Sequence, residues 1–161
     1  MRRVLVMTVA LLAVMVLAAP VSAGTNGANQ VSGLGAPAGP GECTERAADF
    51  TIALGGDLVG CVYQYFEEGE FRPSGTYIER GYEIFDVCLS DGTTCGTFTT
   101  TYTFTAKYAD TDFSGQDWGR CQHPIVAGTG TGDFVGATGR LDFKDDVEAG
   151  NFAMRGHISL P

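Results

Sequence analysis

Between Gly96 and Tyr108 the chain reads GTFTTTYTFTAKY, and two kinds of position alternate along it one by one. Phe98, Thr100, Tyr102, Phe104, Ala106 and Tyr108 fall on one parity, and Thr97, Thr99, Thr101, Thr103, Thr105 and Lys107 on the other. A period of two built from aromatic and β-branched residues predicts a long strand with one buried face. The C-terminal run repeats the pattern: Phe152, Met154, Gly156, Ile158 and Leu160 face one way, Ala153, Arg155, His157 and Ser159 the other. Ala48 to Phe66 predicts two strands joined at Gly55-Gly56-Asp57, a turn that asks for positive φ. Ser74 to Cys88 is long for one flat strand. Its apolar parity changes from Tyr77 to Tyr82 and Ile84, which predicts a bulge or bend at Gly81. Asp91-Gly92 turns the chain toward Gly96, and the stretches Arg120 to Val126 and Ala137 to Phe143 supply two more strands. No segment carries a convincing helical period. The sum is an all-β chain of about eight strands, read as a single eight-stranded antiparallel up-and-down β-barrel. A barrel is preferred to a sandwich because long strands joined by short turns can close and remove both edges. Such a barrel has an interior that is either filled or holds one small ligand.

The ends read differently. Arg2 and Arg3 precede an apolar run from Val4 to Ala19, interrupted only by Thr8, and Pro20 and Val21-Ser22-Ala23 follow. This is the pattern of a signal peptide, residues 1–23, cut after Ala23. As a membrane anchor the run is short, about 24 Å of helix against about 30 Å of hydrocarbon. Gly24 to Gly41 has no charge and no apolar period, and Gly and Pro recur throughout, so residues 24–42 are expected to be a flexible tether and residues 43–161 the barrel domain. A length of 161 residues fits one domain, and 44% hydrophobic content supports a packed core. The net charge is −9, and loss of Arg2 and Arg3 with the leader takes it to −11. That balance argues against a nucleic-acid groove and against a polybasic membrane-surface binder. No later stretch is apolar enough to span a bilayer, so a secreted, extracellular protein is expected.

All five cysteines follow the predicted cut and would meet an oxidising compartment, so they read as disulfide formers. Zinc fails on spacing: no C-x-x-C occurs, and His123 and His157 lie far apart in sequence. An odd number leaves one thiol over and fifteen possible pairings. Cys88 and Cys95 flank the Ser90–Thr93 turn and are expected to be bonded. Cys61 with Cys121 is the second expected pair, leaving Cys43 free or intermolecular.

The stretch Cys121 to Leu160 contains Gly130 to Arg140, GTGDFVGATGR. This glycine-rich core resembles the signature of the allene oxide cyclase and dirigent-type barrels. More closely, it resembles small secreted bacterial proteins assigned to that superfamily. The resemblance implies an eight-stranded antiparallel, calycin-like barrel with a central cavity, in which acidic and polar residues of the cavity do the chemistry; no catalytic residue maps across position by position. Apart from any family, the small residues around Phe134 allow a close turn at a barrel corner with Phe134 plugging the inside.

Several groups could carry chemistry. Glu79 and Glu83 lie four apart and share a strand face with Tyr77 if no bulge intervenes. Inside a cavity two such carboxylates can divide acid and base roles; on the outside they are merely a solvent face. His123 or His157 could act as a base, but no G-x-S-x-G elbow offers a nucleophile. Asp110, Asp112 and Ser114 match the opening of a calcium loop, although its twelfth position is Cys121 rather than Glu, and an acidic hairpin loop explains them equally. Trp118 is expected to cover an open barrel end. Tyr63, Tyr77, Phe98, Tyr102 and Phe104 are candidates to line a pocket for a hydrophobic small molecule, or else to pack the core. No cofactor is expected. The leading expectation is a secreted barrel that binds a small molecule without chemistry, or serves a structural or interaction role outside the cell. The alternative is a cofactor-free enzyme of the cyclase or dirigent type. One observation separates them: a solvent-connected pocket of about 300 Å³ or more, lined by Glu79 or Glu83, favours the enzyme. A filled interior with both glutamates in solvent favours a structural role.

Overall fold

The computed structural model describes residues 28–161. The expected signal peptide and the first residues of the expected tether, 24–27, lie outside the described residues. Eight strands form one closed barrel: β1 (Asn29–Pro37), β2 (Phe50–Gly56), β3 (Leu58–Phe71), β4 (Thr76–Leu89), β5 (Cys95–Tyr108), β6 (Gln116–Pro124), β7 (Thr138–Asp146) and β8 (Asn151–Ser159). Each strand pairs antiparallel with the next, and β1 pairs with β8 to close the ring. The up-and-down barrel read from the alternation is therefore the fold. Among the described residues no helix is long and apolar enough to cross a membrane.

Residues 29–37 correct the tether. They form β1, hydrogen-bonded on both sides, so the barrel begins well before Cys43. The glycines that suggested flexibility are there for close packing. A Cβ on Gly33 would sit 2.2 Å from the carbonyl oxygen of Gly55, and one on Gly35 would sit 2.8 Å from the Ile52 side chain.

One half of the interior is filled. Leu58, Val62, Phe85, Phe98, Leu141 and Ile158 are buried there, with Phe85 and Phe98 stacked at 4.8 Å. A short 3-10 turn, Gly132–Phe134, tucks Phe134 under this end, 5.2 Å from the Phe98 ring, as the glycine run around it suggested. Gly132 enters the turn at φ 57°, a left-handed conformation that a side chain would strain.

The irregularity expected at Gly81 lies in the neighbouring strand. β4 pairs with β5 without interruption from Thr76 to Cys88. The register shift is in β3, where Glu67 is the extra residue between the pairs Phe66–Gly81 and Glu68–Arg80. Tyr82 and Ile84 are outward residues, and the Tyr82 ring stacks on Tyr65 at 4.7 Å. The apparent parity change came from this outer aromatic pair. Tyr77, Glu79, Gly81, Glu83 and Phe85 consequently all face inward.

Cys88–Cys95 is bonded as expected, with Cα atoms 4.1 Å apart. The second bond is Cys43–Cys61, not Cys61–Cys121, and Cys121 is the free thiol. The reason is parity: Cys61 points outward from β3, between the inward Leu58 and Val62, while Cys121 points into the barrel from β6. The barrel wall separates them. The bond pins the Cys43–Asp49 segment against the outside of β3, where the Arg46 guanidinium lies 5.8 Å from the Tyr63 ring. Tyr63 is therefore buried on the outer surface and does not line the cavity.

Candidate active site

The other half of the barrel is hollow. A cavity of about 410 Å³ lies beside the Phe85–Phe98 layer. It reaches solvent past Asp49, Phe50 and Phe66, the two rings being 38% and 49% exposed. Strand alternation places its walls. Glu79 and Glu83 come from β4, Tyr102 and Phe104 from β5, Cys121 and His123 from β6, and Phe143 and Asp145 from β7. Gln64 of β3 and Gln116 of β6 complete the polar lining.

Both expected glutamates are thus in the cavity. Glu83 is 1% exposed and His123 2%, and His123 Nδ1 lies 2.5 Å from Glu83 Oε2. With the Glu83 carboxylate as acceptor, Nδ1 is the donor of this contact, and in the neutral ring Nε2 is then an acceptor. Among the described residues Nε2 has no partner, and neither has the buried Thr100 hydroxyl on the residue opposite Glu83. The imidazole is held between rings, 4.8 Å from Phe143 and 6.2 Å from both Tyr102 and Phe85.

Glu79 sits in a separate network. Its Oε1 accepts from the Tyr102 hydroxyl at 2.7 Å and from Gln64 Nε2 at 2.8 Å, and its Oε2 accepts from the Tyr77 hydroxyl at 3.0 Å. Gly81 makes room for this arrangement, because a Cβ there would lie 2.7 Å from the Tyr102 ring. Burial, then the neighbouring Glu79, holds the Tyr102 hydroxyl far above the ordinary tyrosine range, and the same two causes push Tyr77 up to about 12. Both remain protonated donors at neutral pH. Asp145 accepts from Gln116 Nε2, and burial raises its carboxyl above the usual range. Burial, reinforced by Glu83, Glu79 and Asp145, raises the Cys121 thiol well above its usual range, so it is a weak nucleophile here.

Of the five aromatic residues expected at a pocket, Tyr102 and Phe104 line it. Phe98 belongs to the filled half, and Tyr77 lies in an aromatic cluster with Phe71, Tyr108 and Phe113. His157 is exposed on the outside of β8. Trp118 stands 5.9 Å from Arg120 and lines an outer groove instead of the cavity. In the β5–β6 loop, the Asp110 carboxylate accepts from the amide of Asp112 and the hydroxyl of Ser114, and Asp112 accepts from the amide of Ser114. These carboxylates serve the turn, and among the described residues no three metal-ligating side chains of His, Cys, Asp or Glu converge.

Sequence reasoning missed Gln64, Gln116, Cys121 and Asp145 as cavity residues and did not pair His123 with Glu83. A signal existed in β7, where Asp145 continues the inward parity of Leu141 and Phe143. No protein-family model matches the chain, and no curated protein matches it.

Proposed function

We propose that the protein takes a small, largely apolar molecule into the open half of its barrel and moves a proton on it. The observation that carries this reading is the buried Glu83–His123 pair in the wall of a solvent-connected cavity of about 410 Å³. That volume falls within the roughly 300–1,000 Å³ common for single-ligand pockets. A general base needs an acceptor nitrogen and a partner that fixes its tautomer and steadies the imidazolium that forms. His123 supplies the first through Nε2, and Glu83 supplies the second at Nδ1. The reaction class is an isomerisation or cyclisation in which His123 takes a proton from one atom of the ligand and returns it to another. It needs no oxidant and no cofactor. The resemblance of Gly130–Arg140 to the cyclase and dirigent-type barrels supports the same class. The disulfides Cys43–Cys61 and Cys88–Cys95 support an exported, extracellular protein.

The ring opening of 5-nitrobenzisoxazole tests the chemistry, since one base abstracting one C–H proton suffices and the product is a coloured phenolate. Saturable acceleration beyond that of equimolar free imidazole is expected, reduced at least tenfold in both Glu83→Gln and His123→Gln. N-phenyl-1-naphthylamine, a neutral apolar dye, should bind and inhibit competitively. If the dye binds but ring opening is no faster than with imidazole, the barrel is a carrier and the catalytic reading fails.

A further inference from the structure

Acceptors outnumber free donors among the polar groups of the cavity. Each neutral donor in the Glu79 network is already committed: Tyr102 and Tyr77 donate to Glu79, and Gln64 donates to Glu79 and to Tyr102. One of the two N–H groups of Gln116 donates to Asp145. What is left in the lining is mostly acceptor capacity, on Glu79, Glu83 and Asp145, and the His123 side chain adds Nε2, buried without a partner among the described residues. Among the described residues no lysine or arginine lines the cavity. Glu79 in particular is held by neutral groups alone. A half-buried carboxylate without a cation nearby loses part of its hydration, and a positively charged ligand offsets that cost. The apolar walls favour the same charge. Phe50, Phe104, Phe143, Phe152 and Tyr102 present ring surfaces around the carboxylates, with Phe50 and Phe152 edge to face at 6.4 Å. Aromatic rings attract a desolvated cation through their quadrupole.

We infer that the natural ligand is an organic amine, protonated at neutral pH, with an apolar or aromatic body. Its N–H groups donate to Glu79 and to His123 Nε2, and its body lies against the phenylalanine rings. Carboxylates and phosphate esters are disfavoured, because no lysine or arginine among the described residues lines the cavity and its own carboxylates repel them. The inference rests on the reading of this cavity as the ligand site, and it adds the sign of the ligand's charge.

Three indoles that share one body but differ in charge test it by displacement of bound N-phenyl-1-naphthylamine: tryptamine, the neutral indole-3-ethanol and the anionic indole-3-propionate. Tryptamine is expected to displace the dye at a concentration at least tenfold below indole-3-ethanol, with indole-3-propionate weakest. In Glu79→Gln tryptamine should weaken at least fivefold more than indole-3-ethanol, with retained dye binding showing that the cavity is intact. If the dye binds but the three indoles displace it equally, the anion leads, or none displaces it, the inference is overturned and the ligand site stands. If the dye itself does not bind, the site reading fails first.

Discussion

Replacing His123 by Leu leaves the Glu83 carboxylate with no hydrogen-bond partner, in a position where the residue is 1% exposed. Breaking a buried pair by removing one member costs about 3–5 kcal/mol, most of it the stranded charge. That is a large part of the roughly 5–15 kcal/mol that holds a domain folded. For a chain of this size, each kcal/mol moves the melting midpoint by about 2–4 °C, so His123→Leu should melt roughly 6–20 °C lower. Glu83→Leu strands only an imidazole, a group that needs no charge to stay buried, and should cost less. The double variant Glu83→Leu/His123→Leu removes both polar groups from a wall formed by Phe85, Phe143 and Tyr102, and replacing a buried pair by apolar side chains is often neutral. It should therefore recover at least 2 kcal/mol relative to the His123→Leu single variant, on the order of half the stranding cost. Urea midpoints for the four proteins at one pH complete the cycle. A His123→Leu loss below about 1 kcal/mol, or strict additivity of the two substitutions, would falsify the assignment of these residues as a buried, mutually dependent pair.

Two further outcomes follow from the geometry. Gly33→Val should destabilise the barrel by about 2 kcal/mol or more, because the added atoms meet the Gly55 carbonyl and have no empty space to fill; were residues 29–37 a loose tether, the midpoint in urea would not move. Tyr77 and Tyr102 hold their protons more tightly when folded than when unfolded, so stability is intact below the unfolded tyrosine value near 10 and falls as pH rises toward 12 and beyond. Thermal melts from pH 9 to 12 should show that decline, and the double variant Tyr77→Phe/Tyr102→Phe should flatten it; an equally steep decline in the double variant would count against the burial of these hydroxyls.

How far the sequence carried the structure depended on whether side chains alternated. β5 was legible because the aromatic members of its inward row, Phe98, Tyr102, Phe104 and Tyr108, stand against an outward row of threonines and one lysine. β1 was not, because its inward positions include Gly33 and Gly35 and leave little apolar alternation to read beyond Val31. Register was beyond reach in β3 and β4. The extra residue is Glu67, a polar side chain in a polar run, whereas the visible change of pattern sat across the pair at Gly81. The disulfide error had the same root: parity in β3 turns Cys61 outward, but the partner that meets it there, Cys43, lies in an irregular segment whose path no periodicity records. Of the site, the two glutamates on one face could be read from their spacing. The pairing of Glu83 with His123 could not, since it joins residues 40 apart on β4 and β6, the two strands that flank β5, through registers that no single strand's pattern records.

The claim that His123 is a base presented to a ligand is tested most directly by nitrogen NMR of the histidine side chains. The chain has two histidines, and the exposed His157 serves as an internal reference. In the neutral ring the spectrum should show the proton of His123 on Nδ1 and a bare Nε2, and adding tryptamine should shift the Nε2 resonance while His157 stays in place. A proton found on Nε2, or an Nε2 resonance indifferent to every molecule that displaces the dye, would contradict the account.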